Sequence, residues 1–282
     1  MQTIAQAGSA SSLSHSRAYL PREHGATAML LTPIVAVGIL ARTFRWGELA
    51  VAVAAFAAIA AKDPAVLLIR QKFIWKRRSP ESSAASLWLV GWSGLLIASV
   101  FVLFATWPVM NFVAMGAGIA VFGCLAITVN LKNRQRSTLF QIVSAAALTS
   151  TSLATCIAAT GTVTAWCWWF WALSAMQASA GILVVHARLD ARIALRKSAP
   201  LSRQFRLAAQ TGVGVLLLAS ASAVFLRHKW IVLALGLAAV GYAYDLIRQR
   251  DAISLQMPLK TVGLQALMLS SVYAVLVVTD LW

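Results

Sequence analysis

The 282-residue chain is 60% apolar and 11% charged, with a mean hydropathy of +0.77, a balance that no soluble domain of this length can hide in its core. Its net charge of +16 raises the question of nucleic acid. The basic residues, however, fall in short clusters between apolar runs and form no separate folded domain, so no nucleic-acid partner is expected and they read as topology determinants and contacts for anionic lipid.

Residues 1–20 are rich in Ser, Ala and Gln without an apolar core, and read as a disordered cytoplasmic tail preceding one transmembrane domain over 21–282. Apolar runs then follow at about 24–41, 47–69, 84–106, 109–129, 138–160, 165–186, 207–226, 230–247 and 259–280. Each is long enough for a helix to cross a hydrocarbon core of about 30 Å, and helix alone satisfies every backbone amide there. The expected fold class is therefore an all-α polytopic membrane bundle of about nine transmembrane helices.

Nineteen of the 24 Lys and Arg lie on the N-terminal side and the even-numbered connections, including Arg17, Arg22, Arg70, Lys76, Arg78, Arg134, Arg188, Arg192, Arg203, Arg206, Arg248 and Arg250. The opposite side holds only Arg42, Arg45, Arg227 and Lys229, and Lys62 sits within the second span. This asymmetry predicts a cytoplasmic N-terminus and an external C-terminus. Tryptophan agrees: Trp46, Trp107, Trp166, Trp168, Trp169, Trp171, Trp230 and Trp282 fall near the predicted outer surface, and the 166–171 run reads as an interfacial belt. The outer connections at Trp107-Pro108 and around Gly161 predict tight hairpins. The polar stretches 70–83 and 187–206 read as longer cytoplasmic connections, where chemistry would gather. Cys124, Cys156 and Cys167 show no paired spacing and read as small packing residues, without a disulfide.

Ionisable groups at membrane depth are costly, so Asp63, beside Lys62, needs a partner or a wet cavity. Pro64 follows it and is expected to kink or open the helix. In His186-Ala-Arg188-Leu-Asp190-Ala-Arg192, helical spacing puts His186 with Asp190 and Arg188 with Arg192. Such a set suits bidentate gripping of phosphate, with a divalent ion on the carboxylates. Arg22, Glu23 and His24 introduce the first span, and the Tyr242–Asp245 stretch adds a carboxylate to the end of the eighth.

The run PREHGATAMLLTPIVAVGIL at 21–40 resembles the opening signature of the YwiC-like family of bacterial membrane proteins, which implies a multi-pass protein of the bacterial inner (plasma) membrane. The nine-helix architecture also resembles the UbiA superfamily of intramembrane prenyltransferases, whose Asp-rich motifs after helices 2 and 6 bind Mg²⁺ and a prenyl diphosphate. That resemblance implies metal at the matching places, Asp63 and Asp190; an enzyme built on these residues is expected to use both in catalysis with His24 and His186 as acid or base, and to take substrate contacts from Arg22, Arg70, Arg188 and Arg192. The chain departs from the pattern at Leu67 and Gln71, where the first motif carries carboxylates, and at Ala194, where the second does. The expected partners are membrane lipids and a prenyl diphosphate or another anionic lipid. The alternative is a non-enzymatic component, either a transporter or an assembly partner of a respiratory complex.

Overall fold

The computed structural model describes residues 24–76, 82–131, 137–198, 200 and 202–282, and within them it is helical, with no strand. The expected tail, Arg17, Arg22, Glu23, Arg77, Arg78 and Arg134 lie outside the described residues. The helices are α1 (His24–Ala41), α2 (Trp46–Ile69), α3 (Ser82–Thr106), α4 (Val109–Leu131), α5 (Thr138–Thr149), α6 (Thr151–Thr160), α7 (Ala165–Lys197), α8 (Arg203–Phe225), α9 (Lys229–Arg248), α10 (Ala252–Gln256) and α11 (Leu259–Leu281). Every predicted span coincides with a helix. Among the described residues eight helical segments are long and apolar enough to cross a membrane, and α1 adds the shorter apolar stretch Met29–Ala41. The chain is an all-α, multi-pass membrane protein.

Contacts group the chain into two units, one comprising residues 1–27 and 45–135, the other 28–44 and 136–282. In the first, α2 packs on α3 through aromatic rings, with Phe56 edge-on to Trp92 at 5.7 Å and Trp92 stacked on Trp88 at 5.9 Å. The Ser82 hydroxyl donates to Gln71 Oε1 at 2.6 Å. The connection at Trp107-Pro108 is as short as predicted, since α3 ends at Thr106 and α4 begins at Val109, and Phe104 meets Phe112 edge-on across it at 5.3 Å.

Pro64 does not open α2. The helix runs through it to Ile69, because the proline ring is fully buried and its packing offsets one missing backbone bond. The departure from α geometry comes later, as a π-helical turn over Arg70–Trp75 that occupies part of the predicted connection.

In the second unit α7 is the spine. Apolar residues end near 186, yet the helix continues to Lys197, so the first half of the predicted 187–206 connection is helical. The segment ARLDARIALRK is built from strong helix formers, and hydropathy marks only the part in lipid. A buried polar net binds α7 to its neighbours: Gln177 Nε2 donates to Tyr242 Oη at 2.7 Å and to Ser270 Oγ at 3.0 Å, and Tyr273 Oη donates to the Leu173 carbonyl at 3.0 Å. Trp171 Nε1 donates to the Ala146 carbonyl at 2.9 Å, so this tryptophan braces α5, whereas Trp168 and Trp169 stay exposed as a belt requires. Between α5 and α6, Thr149, Ser150 and Thr151 all bond back to preceding carbonyls, which interrupts the helix at Ser150 within the single apolar stretch Thr138–Thr160 that the sequence predicts as one span.

The hairpin after α6 turns on Gly161, whose φ of +79° suits glycine and whose N–H closes on the Ile157 carbonyl at 2.8 Å. That turn brings together two buried cysteines, and Cys156 and Cys167 form a disulfide, contrary to the sequence expectation. Their eleven-residue separation carried no pairing signal, because a helix end, a turn and a helix start had to fold before the sulfurs could meet.

Two outcomes test this packing. A methyl group at Gly181 would lie 2.7 Å from the Tyr242 hydroxyl, so Gly181→Ala should cost about 1–3 kcal/mol in thermal unfolding of the purified protein. The cost should shrink in a Tyr242→Phe background, where the obstructing oxygen is gone. Alkylation of the unreduced, denatured protein should modify Cys124 alone among the three cysteines, and reduction should release Cys156 and Cys167 for labelling, both read by mass spectrometry.

Candidate functional site

Helical spacing splits the end of α7 into two faces, and the structure shows what each one meets. On one face Arg188, only 3% exposed, donates from Nη1 to Asp245 Oδ1 of α9 at 2.5 Å and from Nη2 to the Ser254 carbonyl of α10 at 2.6 Å. One turn on, Arg192 donates from Nε to the Leu255 carbonyl at 2.5 Å and from Nη2 to the Met257 carbonyl. Both forks therefore serve the C-terminal carbonyls of α10, where a helix end has orphan acceptors and negative dipole character. Asp251 closes the other end of α10, accepting from the Ile253 and Ser254 amides at 3.1 and 3.2 Å. Asp245 also accepts from Gln249 Nε2 at 2.9 Å, and the same amide donates to the Val184 carbonyl at 3.2 Å.

On the other face His186 Nε2 shares a 2.7 Å hydrogen bond with Gln141 Oε1 of α5, and its ring stacks on Phe205 at 6.1 Å. Asp190 Oδ2 accepts the Ser202 amide at 3.0 Å, which anchors the start of α8 to α7. These four sequence candidates are neighbours on one helix, but their polar atoms point to two different sets of partners.

The remaining candidates belong to the first unit. Asp63 lies 3.9 Å from Lys62 and is half exposed. Arg70 stands at the junction of α2 and the π-helical turn. His24 begins α1.

A cleft of about 310 Å³ opens in the second unit where α7, the start of α8 and the end of α9 meet. Asp190, Arg206 and Arg250 are its charged lining residues, Ser202, Gln210 and Gln249 add polar groups, and Val213, Leu217, Leu246 and Ile247 form apolar wall. Arg206 and Arg250 are exposed, and neither guanidinium is engaged by a side chain or carbonyl among the described residues. Gly214 contributes open space to the wall, with nothing within 4 Å of where a Cβ would stand. Sequence reasoning counted Arg206 and Arg250 only as topology determinants. Each is a single cation at a helix end, and only the packing of α8 and α9 against α7 turns them toward one space.

The donor set does not suit a Mg²⁺ cage. A hard dication takes about six oxygen ligands. Among the described residues Asp190 is the lone carboxylate lining the cleft, with one oxygen already holding the Ser202 amide. Among the described residues no three His, Cys, Asp or Glu side chains gather where a metal could be held.

No curated protein and no solved structure matches the chain. A family match covers residues 20–156, ending short of the residues that line the cleft. The matching model is described as YwiC-like protein, and through that segment the chain is similar to the YwiC-like family.

Proposed function

We propose that this protein binds the phosphate-bearing head of a membrane lipid in the Asp190–Arg206–Arg250 cleft, on the cytoplasmic side of the bacterial plasma membrane. The observation that carries the reading is the pairing of two unengaged guanidinium groups with an apolar wall in one cleft. Guanidinium forks match phosphate oxygens, and the leucine and isoleucine side chains match the first part of a lipid tail.

Orientation is supported from three directions. The cation asymmetry and the tryptophan positions favour a cleft on the inner side. The Cys156–Cys167 bridge at the opposite end of α7 belongs in an oxidising compartment. Cys167 and Asp190 stand on one continuous helix, roughly 35 Å apart at 1.5 Å per residue, which is a bilayer core apart.

The resemblance to intramembrane prenyltransferases, with Asp190 in the cleft at a place where that family carries its second motif, makes an isoprenoid diphosphate the rival ligand to test against this reading. Incubation with a radiolabelled isoprenoid diphosphate and membrane extract reads group transfer directly, and product formation abolished by Asp190→Asn would make the chain an enzyme. A transporter or assembly partner would bind partners or cargo elsewhere and show no Arg206-dependent lipid retention.

Native mass spectrometry of the purified chain with added phospholipid should show retained lipid. Arg206→Gln and Arg250→Gln should each weaken retention by about tenfold, the loss of roughly 1.4 kcal/mol. Gly214→Leu should block the cleft while leaving thermal unfolding intact, because its Cβ meets open space. Retention unchanged in all three variants would remove the cleft as the site. For orientation, Ser198→Cys in a Cys124→Ser background should resist a membrane-impermeant maleimide in intact cells and react after lysis; labelling in intact cells would invert the assignment.

A further inference from the structure

We infer that Asp190 sets the charge of the head group the cleft accepts, selecting a singly charged phosphodiester and excluding more highly charged phosphates. The inference rests on the lipid-phosphate reading above and goes beyond it by naming the ligand class and the residue that discriminates.

The charged side chains lining the cleft are two arginines and one aspartate, a net charge of +1. Near an apolar wall, where the effective dielectric falls well below that of water, a ligand whose charge cancels this value leaves no uncompensated charge behind. A phosphodiester does so. A phosphomonoester carries about −1.5 to −2 near neutral pH, and a diphosphate carries more; each would bring surplus negative charge against the Asp190 carboxylate. A diphosphate could shed that surplus with a bound dication, but the cleft has one carboxylate to offer, and Asp190 Oδ2 is already held by the Ser202 amide. The same bond fixes the carboxylate at the α7–α8 junction, so it cannot swing away to relieve the repulsion.

The geometry also supplies a clean substitution. Asn at position 190 keeps an oxygen that accepts the Ser202 amide, so Asp190→Asn preserves the anchor of α8 while changing the cleft from +1 to +2. Asp190→Ala removes both the charge and the anchor. A role confined to anchoring would be hurt by alanine and rescued by asparagine, with no change in lipid preference. A role in selection changes preference in the asparagine variant, whose stability is intact.

The test uses the full chain in detergent, with retention measured by native mass spectrometry against a phosphatidylglycerol, a phosphatidic acid of the same tails, and an isoprenyl diphosphate with Mg²⁺ or with EDTA. The wild-type protein should prefer the phosphodiester, with no effect of EDTA. Asp190→Asn should shift the ratio of phosphatidic acid to phosphatidylglycerol by about tenfold toward the acid and admit the diphosphate without metal. Binding that depends on Arg206 and Arg250 with a ratio unchanged by Asp190→Asn would overturn the inference and leave the lipid-phosphate reading standing. So would diphosphate binding in the wild type that requires Mg²⁺. Insensitivity to both arginine variants would defeat the lipid-phosphate reading itself, and this inference with it.

Discussion

A guanidinium buried at the end of a membrane helix must find acceptors inside the protein, and the pairing of Arg188 with Asp245 and the Ser254 carbonyl shapes everything around the cleft. The pair joins α7 to α9 and holds α10 beneath them. Asp245 then reaches Gln249, whose amide also grips the Val184 carbonyl, so the end of α9 is held against α7. Arg250 and Gln249 owe their places in the cleft to that attachment. Two of the three nitrogens of this buried arginine thus find acceptors, one on α9 and one on α10, while its Nε has no partner among the described residues, and the two bonds tie α7, α9 and α10 into one corner.

The opposite face of the same helix does the complementary work. Asp190 anchors the first residue before α8, and His186 is held by Gln141 and Phe205, so α8 leaves α7 along a defined path. Arg206 lies one turn beyond that anchor and faces the same space as Arg250. Farther along, Gln177, Tyr242 and Ser270 replace water as partners for one another and Tyr273 bonds to the Leu173 carbonyl, at a depth where an unpaired polar group would be expensive. The helix therefore has a braced end, a polar tie at its middle and a disulfide near its start.

Reading the candidates from sequence worked where the signal was local. Spacing of four residues correctly separated Arg188 and Arg192 from His186 and Asp190, because helical geometry is the same in any context. It could not say what would lie opposite. Both arginines meet carbonyls of a five-residue helix that hydropathy never announced, since α10 is too short to carry a periodic pattern. Arg206 and Arg250 carry no mark that separates them from other interfacial cations. The cysteines misled for the same reason, as their pairing depends on a turn at Gly161 and not on spacing.

What the sequence alone determined is the class of protein: a chain of long apolar helices suited to lipid, their approximate number and positions, and the two short connections at Trp107-Pro108 and Gly161. These follow from hydrocarbon thickness and the cost of unsatisfied amides, which act on each segment independently. The tertiary structure alone decided that α2 runs through Pro64, that α7 continues to Lys197, that Cys156 meets Cys167, and which cations are used internally and which face a cleft. Those outcomes depend on which surfaces pack together, and partners distant in sequence leave no local trace of one another.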